Sequence, residues 1–329
     1  MTMQPTLDLT IIIPNYNTNS LLKQCLASIY EHTTGIKFEV ICLDENSPDG
    51  SAEMVLKEFP QVILVCNERP KYYAANNNLG LQMSRARYAC LLNSDTKITA
   101  DAFTALVTFM DEHPEAASCG PKLLNLDGSV QHCIRHFAGL STMILHGLNW
   151  HRLFPDGRFA DNYYALRFDY SRAQVVDNIG TTAYVIRRST WESAGMLDER
   201  FPHFQVDIAY NLMLKRKGFH VYYTPCAEVI HYGGQSINQQ AKSKIRELHE
   251  ALAKFNDIYD YFGVSRISKL LVRIAIRCRY IIKLAEYYVS SDKRVIKSPG
   301  APRLQLGTEA HSRFVPHRDS TVTTRTQST

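Results

Sequence analysis

The chain lacks the cysteine spacings that mark several classes of protein. None of its eight cysteines stands in Cys-x-x-Cys spacing and no Cys/His cluster is present, which excludes the common structural zinc modules. Cys42, Cys66 and Cys90 lie in or beside apolar runs, where cysteine is usually a small buried hydrophobe. We therefore predict a reducing compartment, the cytoplasm.

Two further absences concern membranes. The first ten residues have no basic segment followed by an apolar one, so we expect no secretory signal. No stretch reaches the roughly 18 uncharged apolar residues that mark a membrane-spanning helix, so we expect none.

Basic residues are concentrated towards the C-terminus. Residues 264–288 carry six basic side chains and one acidic, and residues 291–329 carry seven basic and three acidic. The net charge of +5 therefore hides an acidic balance over residues 1–263. A main domain of that charge is a poor match for nucleic acid, which we exclude as a partner.

Residues 1–112 alternate strand and helix patterns. Apolar, β-branched runs predict strands, and a 3.6-residue apolar period predicts helices. The predicted strands are 9–13, 38–43, 62–66 and 88–92, and the predicted helices are 20–30, 51–59, 76–85 and 102–112. This alternation predicts an α/β fold with a mostly parallel central sheet flanked by helices.

The rest of the chain is less regular. Residues 125–175 favour loops with short helices, and residues 240–288 favour helix. Further strands are predicted at 175–186, 219–223 and 227–231, and further helices at 190–194 and 208–217. We divide the chain into a main domain (1–235), a basic helical extension (236–290) and a disordered tail rich in Ser, Thr, Pro and Arg (291–329).

Polar residues directly follow three of the predicted strands. These segments are PNYN at 14–17, DENSPDGS at 44–51 and NSDT at 93–96. Any one of them alone is typical of a turn. In parallel α/β sheets, however, ligands bind beyond the carboxyl ends of the strands, so three such segments at one edge predict a binding site for a polar ligand.

The order of these motifs resembles that of glycosyltransferase family 2, which carries P-x-Y-N, V-D-N-x-S-x-D-G-S, N-N-x-G, L-L-N-x-D and a closing H-x-G-G. The corresponding segments are IIIPNYN at 11–17, LDENSPDGS at 43–51, AANNNLG at 74–80, LLNSDT at 91–96, the acceptor-side segment at 179–201 and the segment at 206–234 that ends in HYGG. The resemblance covers roughly residues 7–235 and is nearest to the bacterial rhamnosyltransferase-like branch.

The resemblance implies a GT-A fold, that of nucleotide-diphospho-sugar transferases, and an inverting transfer reaction. The donor would be a UDP- or dTDP-sugar, with dTDP-rhamnose as one candidate. The acceptor would be a hydroxyl of a glycan or a lipid-linked acceptor in surface polysaccharide assembly.

On the donor side, Asp44 resembles the carboxylate that reads the base, since it can accept a ring N–H of uracil or thymine. The other donor-side positions are Pro14 and Tyr16, beneath the base, and Asn77, Asn93 and Ser94. Asp95 takes the place of the last Asp of a D-x-D pattern, and His231 resembles the family's later metal-side histidine. Together they imply Mg²⁺ or Mn²⁺ bound with the diphosphate. For His231 the alternative is a strand-end histidine with no ligand.

On the acceptor side, Asp207 takes the place of the Asp in the family's E-D pair, which implies a general base. The chain departs from the family at Val206 and Ala209, where carboxylates are usual. With fewer like charges nearby, the pKa of Asp207 should be raised less than in the usual pair. The alternative for Asp207 is a helix N-cap.

Other acceptor-side residues are predicted from the same resemblance. Gly180 and Thr181 belong to the acceptor-side segment, and we interpret Gly180 as a point of close backbone approach. Asp198 and Glu199 are near enough in sequence to serve as a fallback base.

Residues 264–288 predict an amphipathic helix. Its apolar stripe comprises Ile267, Leu270, Leu271, Ile274, Cys278, Ile281, Ile282 and Ala285. The basic remainder fits an anionic membrane surface, which would make the protein peripheral on the inner face of the plasma membrane. The alternative is a helix packed on the main domain with a solvated basic face, because Val272 and Ile276 interrupt the polar side.

Two other functions stay open at this point. A nucleotidyltransferase also uses an α/β sheet and a metal, but it needs a glycine-rich loop with Lys or Arg after the first strand, where this chain has NYNTNS. A catalytically degenerate nucleotide-sugar-binding protein of the same fold is compatible with the missing carboxylates at Val206 and Ala209.

Overall fold

The computed structural model describes residues 7–137, 139–147, 161, 163–233, 241–261 and 265–289. The strands are β1 (Leu7–Asn15), β2 (Phe38–Asp44), β3 (Ile63–Cys66), β4 (Ala86–Leu92), β5 (Thr96–Ile98), β6 (Ala116–Leu124), β7 (Ile134–Arg135), β8 (Gln174–Val175), β9 (Asn178–Ile179), β10 (Ala183–Arg187) and β11 (His220–His231). The helices are α1 (Asn19–His32), α2 (Ser51–Glu58), α3 (Tyr72–Met83), α4 (Ala102–Glu112), α5 (Leu140–Gly147), α6 (Arg188–Ala194), α7 (Val206–Arg216), α8 (Ala241–Tyr259) and α9 (Arg266–Val289).

One large sheet organises the molecule. In the described ranges it has nine strands, in the order β3-β2-β1-β4-β10-β6-β11-β5, with β8 also paired to β11. Strands β1 to β4 are parallel, whereas β10 is antiparallel to both of its neighbours. The predicted α/β fold with a central sheet flanked by helices is confirmed, and β10 makes that sheet mixed.

The strand order reverses at β1. Strands β2 and β3 lie on one side of β1 and β4 lies on the other, which leaves a crevice at the carboxyl ends of β1 and β4. Asn15, the last residue of β1, is in register with Asp44, the last residue of β2. Asn93 directly follows β4. The three polar segments predicted from the sequence therefore share this edge.

Apolar side chains cover both faces of the sheet. Ile12 belongs to one core cluster, while Ile11 and Ile13 belong to the other, as the alternation of side chains along a strand requires. Helix α3 packs closely on the first face, where a Cβ on Gly80 would overlap the side chain of Ile12. Glycine at this position lets α3 approach the sheet closely.

The helix and strand predictions before residue 112 are confirmed, with shifted ends. The single strand predicted at 175–186 is wrong, because the chain turns twice there and forms β8, β9 and β10. Each of these three short strands has different partners: β8 pairs with β11, β9 with β7, and β10 with β4 and β6. An apolar run in sequence does not reveal such a change of partner.

Strand β6 was not predicted, since Gly120 and Pro121 interrupt its sequence and disfavour strand. Its pairing with β11 is irregular between Tyr223 and Glu228, which align with Gly120 and Lys122 on either side of Pro121. Proline has no N–H to donate to the ladder. The two strands predicted at 219–223 and 227–231 flank this irregularity, and the structure joins them as β11.

The two C-terminal helices pack on the main domain. Phe255 of α8 and Ile276 of α9 lie in the same core cluster as Val206 of α7. The domain boundary at residue 235 stays a prediction, and the predicted tail at 291–329 lies outside the described residues. Within the described ranges, no helix combines the length and the apolar character that crossing a bilayer requires.

Helix α9 contacts the core through the residues that interrupt its polar side. Val272, Ala275 and Ile276 are almost fully buried. Part of the predicted apolar stripe instead faces outwards, with exposed fractions of 74% for Ile267, 57% for Leu270, 51% for Ile274 and 58% for Ile281, whereas Cys278 and Ile282 are half-buried. Packing on the domain therefore leaves much of the stripe exposed to solvent.

Candidate active site

A chain of hydrogen bonds joins the ends of β1, β2 and β4. The Thr18 hydroxyl donates to Asn15 Oδ1 at 2.6 Å, and the Ser94 hydroxyl lies 2.9 Å from that of Thr18. On the other side, Asn15 Nδ2 donates to Asp44 Oδ1 at 2.8 Å. Ser94 and Asp44, two of the predicted donor-side residues, are thus held in one network. Asn15 and Thr18, which link them, were not assigned a role from the sequence.

Asp44 is buried at the end of β2, with 2% of its surface exposed. Its carboxylate also accepts the Ser47 hydroxyl at 2.7 Å and the Ser47 N–H at 2.8 Å. These bonds fix the direction of a carboxylate that has acceptor capacity for a further donor. Nearby in sequence, Pro14 is half-buried and Tyr16 is exposed.

A second polar network lies beside Asp44 and was not predicted. Glu45 accepts hydrogen bonds from the Lys71 N–H, at 3.0 Å to Oε2, and from Asn76 Nδ2. Asn76 in turn accepts from Asn67 Nδ2 at 2.7 Å. Burial raises the pKa of Glu45. This network anchors the start of α3 to the end of β2.

Asn77, a predicted donor contact, lies below the surface of the crevice. Its side chain is fully buried, and Nδ2 donates to the Tyr73 carbonyl one turn earlier at 2.9 Å. Its Oδ1 has no hydrogen-bond partner. The role of Asn77 towards a donor stays a prediction.

Asp95 and His231 meet although 136 positions separate them in the chain. Thr96, the first residue of β5, pairs with His231, the last residue of β11, and this brings Asp95 Oδ1 to 3.3 Å from His231 Nε2. Both side chains are mostly buried. The structure thus brings together the two residues predicted on the metal side, and their role towards a metal stays a prediction.

Gln131 sets the tautomer of His231. Its Oε1 lies 2.6 Å from His231 Nδ1, while its Nε2 donates to Asn125 Oδ1 at 3.0 Å. Because the amide donates to Asn125, its oxygen is left to accept the Nδ1–H of the imidazole. In the neutral ring, Nε2 then carries the lone pair that faces Asp95.

Two acceptors therefore face each other across 3.3 Å, since Nε2 of His231 has no hydrogen-bond partner. A proton or a cation between the two atoms would satisfy both. Carboxylate oxygen and imidazole nitrogen both bind divalent metals, so the pair fits Mg²⁺ or Mn²⁺. No larger cluster of His, Cys, Asp or Glu side chains able to hold a metal occurs in the described part of the chain. The other ligands would be phosphate oxygens and water.

Asp207, the predicted acceptor-side base, lies in the first turn of α7. Some solvent contact remains, but protein surrounds the carboxyl group, and this burial raises its pKa. Hydrogen bonds from backbone N–H groups of the helix start, and the charge of Arg135, oppose the rise. The N-cap position belongs to Gln205, which has a left-handed φ of 67°. The N-cap interpretation of Asp207 is therefore wrong.

The positions at which carboxylates are missing are core positions in this chain. Val206 and Ala209 are buried in the cluster that also contains Tyr210. A carboxylate at either position would be desolvated. Asp207 is consequently the single acid in the first turn of α7.

Two backbone contacts tie the acceptor-side segment to the crevice. The Tyr73 hydroxyl donates to the Thr181 carbonyl at 2.8 Å, and the Asn93 N–H donates to the Thr182 carbonyl at 2.9 Å. The charge of Asp207 contributes to the raised pKa of Tyr73, which burial dominates. The close approach expected at Gly180 is wrong, because a Cβ there would meet no atom within 4 Å.

A buried network fixes α7 against the sheet. The Tyr184 hydroxyl donates to Asn211 Oδ1 at 2.7 Å, and Asn211 Nδ2 donates to Asn178 Oδ1 at 2.7 Å. Asn211 lies one helical turn after Asp207. This network therefore holds in place the part of α7 that carries Asp207. Sequence reasoning missed it because the three residues come from three separate elements.

Asp198 and Glu199, the alternative candidates for the base, both accept hydrogen bonds from other side chains. Asp198 accepts hydrogen bonds from Arg200 and from the Tyr259 hydroxyl of α8. Burial raises the pKa of Asp198, but these bonds outweigh it and lower the pKa. Glu199 accepts from Asn78 Nδ2 at 2.8 Å. The role of Asp207 as the base stays a prediction.

Comparison with known proteins places this site in context. The model of the family "Glycosyl transferase family 2" matches residues 10–193. The O-antigen biosynthesis protein RfbC of Myxococcus xanthus is 24% identical over 70% of this chain and 18% of its own length. The N-acetylglucosaminyl-diphospho-decaprenol L-rhamnosyltransferase of Mycobacterium tuberculosis is 23% identical over 74% of this chain and 82% of its own length. The chain thus spans less than a fifth of RfbC but most of the second relative.

Among solved structures, the mannosyltransferase PcManGT from Pyrobaculum calidifontis, in complex with GDP-Man and Mn²⁺, has a similar fold. Its TM-score is 0.52 at 16% identity, covering 88% of this chain and 78% of that chain. At this identity the likeness concerns the GT-A fold alone.

Proposed function

This chain belongs to glycosyltransferase family 2, and we propose that it transfers a sugar, with inversion, from a nucleotide-diphosphate sugar to a hydroxyl of a glycan or lipid-linked acceptor. The observation that carries the proposal is the buried Asp95–His231 pair beside the nucleotide crevice, with a carboxyl of raised pKa on the acceptor side. The setting we propose is surface polysaccharide assembly, in line with the names of the two relatives.

The donor would lie along the edge formed by β1, β2 and β4. Asp44 would accept a ring N–H of uracil or thymine, with Pro14 and Tyr16 beneath the base. Asn93 and Ser94 would contact the donor from the end of β4. A UDP- or dTDP-sugar fits this arrangement, and dTDP-rhamnose is the candidate that the rhamnosyltransferase relative suggests.

Asp95 and His231 would hold Mg²⁺ or Mn²⁺. When bound, the cation neutralises the negative charge of the diphosphate leaving group. Gln131 contributes by holding the His231 ring so that Nε2 points at the metal position, an arrangement common around metal-binding histidines.

Asp207 would remove the proton from the attacking acceptor hydroxyl. Burial raises its pKa, which makes the carboxylate a stronger base than an exposed aspartate. An attack on the face of the sugar opposite the leaving group gives inversion at the anomeric carbon. The Asn211 network would keep the carboxylate in position during this step.

Donor binding, measured by calorimetry with the full chain, tests the function. We expect one pyrimidine-diphosphate sugar among UDP-, dTDP- and GDP-sugars to bind in the presence of Mn²⁺, and to bind at least about tenfold more weakly with EDTA. Absence of binding to every donor would favour the degenerate binding-domain alternative. Binding of a nucleoside triphosphate with release of diphosphate would favour the nucleotidyltransferase.

We further propose that α9 places the enzyme on an anionic membrane surface, where lipid-linked acceptors are found. Its exposed apolar stripe lies beside Arg266, Arg273 and Arg277, which are also exposed. A helix with an apolar face and a basic flank suits the interface of anionic lipids. Pairing of the stripe with a second copy of α9 would bring like charges together, so the charge pattern favours lipid.

Sedimentation with vesicles tests the membrane surface. The variant Ile267→Ser/Leu270→Ser/Ile274→Ser/Ile281→Ser should bind vesicles of phosphatidylcholine and phosphatidylglycerol at least about tenfold more weakly than the wild type. The matched control is Leu56→Ser/Leu126→Ser, which changes exposed leucines outside α9. Equal binding by the wild type and the α9 variant would exclude the proposed surface. Binding of the wild type to vesicles of phosphatidylcholine alone that is as strong as its binding to the mixed vesicles would also exclude it.

A further inference from the structure

Tyr72, the first residue of α3, has a strained backbone. Its φ is 64°, in the left-handed region where a bulky side chain is a genuine outlier. Burial of the ring does not explain the strain, since 48% of the residue is exposed. Glycine would adopt the same conformation without a steric cost. Strain that packing does not require is commonly found where a side chain serves a binding site.

Hydrogen bonds hold the segment before Tyr72 over the end of β2. The Asn67 N–H donates to the Asp44 carbonyl at 2.8 Å. The Lys71 N–H donates to the Glu45 carboxylate, at 3.0 Å to Oε2 and 3.2 Å to Oε1. The Tyr72 N–H donates to the same carboxylate. The connection from β3 to α3 is therefore folded back towards Asp44, the residue that would read the base.

The ring of Tyr72 is supported by His203, which belongs to the segment that leads to α7. The two ring centres are 5.0 Å apart and their planes meet at 66°. His203 Nδ1 lies 2.6 Å from Glu247 Oε1, and Lys244 Nζ donates to Glu247 Oε2 at 2.8 Å, which ties the imidazole to α8. The Tyr72 ring therefore has one supported side, and its exposed part is free to meet a ligand.

A second exposed tyrosine, Tyr16, follows the strand on the other side of β2. Strands β3, β2 and β1 are parallel neighbours in that order, and Cys66, Asp44 and Asn15 stand in register at their ends. Tyr16 comes directly after Asn15 and is 40% exposed. The segment that ends in Tyr72 comes directly after Cys66. The strands that lead to these two exposed rings thus flank the strand that ends in Asp44.

The spacing of these strands suits a flat ligand. Strands β1 and β3 are two strand spacings apart, which amounts to about 9–10 Å. A planar ring in contact with an aromatic ring on each of its faces needs about 7 Å between those two rings. Stacking on tyrosine stabilises a nucleobase whatever its identity, because every base has a π face. Asp44 would add the hydrogen bond that reads the edge of the base.

We propose that Tyr72 is the second wall of the nucleobase site, so that the base of the donor contacts Tyr16 on one face and Tyr72 on the other. This inference rests on the proposed nucleotide-sugar donor and adds a residue that binds its base. The hydrogen bonds to Glu45 and the support from His203 hold the strained backbone, and the strained backbone keeps the ring at the crevice.

Calorimetry with the full chain and Mn²⁺ tests this wall, with UDP and dTDP as probes. Tyr72→Gly should bind the tighter of the two nucleotides at least about fivefold more weakly than the wild type, because one stacking contact is lost. Tyr72→Phe keeps the ring and should bind like the wild type. Since glycine relieves the strain, Tyr72→Gly should unfold at the same temperature as the wild type or higher.

Two matched controls separate the ring from general effects. Ala100→Gly changes another left-handed residue, with a φ of 51°, in the turn between β5 and α4. Tyr288→Ala removes an exposed tyrosine of α9. Both controls should leave nucleotide binding unchanged.

A modified base tests stacking directly. The 5,6-dihydro form of the bound nucleotide keeps the ring N–H that Asp44 would accept but loses the flat aromatic face. The wild type should bind it more weakly than the ordinary nucleotide. This preference should shrink in Tyr72→Gly, which a purely structural role of the ring would not produce.

Equal nucleotide affinity in the wild type and Tyr72→Gly would overturn the proposal, and so would an unchanged preference for the aromatic base in that variant. If Tyr72→Gly fails to fold, Tyr72→Asn takes its place, because asparagine tolerates the left-handed conformation. Nucleotide binding by the wild type without an effect of Tyr72 would overturn the wall alone. Absence of nucleotide binding by the wild type would overturn the proposed function as well.

Discussion

Asp207→Asn should lower kcat by about 10²–10⁴-fold, the usual contribution of a general base. The amide keeps the shape of the side chain but cannot accept the proton of the acceptor hydroxyl. Donor binding should stay unchanged, since the predicted donor contacts lie at the ends of β1, β2 and β4. Steady-state kinetics together with donor calorimetry measure both effects, and an unaltered kcat would remove Asp207 from the mechanism.

Measurements of stability and of pH dependence distinguish the expected fall in kcat from misfolding of the variant. Because burial raises the pKa of Asp207 in the folded protein, its ionised form is destabilising relative to a neutral group at pH 7. Asp207→Asn should therefore unfold at the same temperature as the wild type or higher. In the wild type, the base is lost as pH falls through the raised pKa, so kcat/KM should decline at a higher pH than the ordinary aspartate pKa of about 3.9.

Asp95→Ala should abolish the metal dependence of donor binding and raise the donor Kd in Mn²⁺ at least about 100-fold. The substitution removes the carboxylate that faces His231, so a cation would keep a single protein ligand there. Calorimetry with Mn²⁺ and with EDTA measures the difference.

Two further variants control for this result. Glu68→Ala removes an exposed acid outside the pair and should change nothing. Gln131→Leu keeps both proposed ligands but releases the His231 ring, and should weaken metal-dependent binding by about 10–100-fold. Metal-dependent binding that persists in Asp95→Ala would show that the cation is held by other groups.

The parts of the fold that could be predicted are those that depend on residues close together in the sequence. Strand and helix periods before residue 112 depend on neighbouring residues, and the polar segments after β1, β2 and β4 follow those strands directly. The resemblance to family 2 then linked Asp95 with His231, which the structure brings within 3.3 Å. Periodicity alone could not have joined residues so far apart.

The parts that could not be predicted depend on tertiary pairing. Strand β10 lies between β4 and β6 in the sheet. No local sequence pattern indicates that position. Gln131 contacts His231, and Tyr184 donates a hydrogen bond to Asn211, only because elements far apart in the sequence pack together. The absence of a carboxylate at Val206 was visible in the sequence, but its physical reason, a place in the core, required the structure.

The membrane surface proposed for α9 would have a consequence for how fast an acceptor is found. Val272, Ala275 and Ile276 anchor the helix on the domain, so the stripe has a fixed direction relative to Asp207. A protein that lies on a bilayer through this stripe keeps its cleft at one height and one tilt. Encounter with a lipid acceptor then becomes a search within a plane, and turnover should follow the surface density of the acceptor in the bilayer rather than its amount per volume.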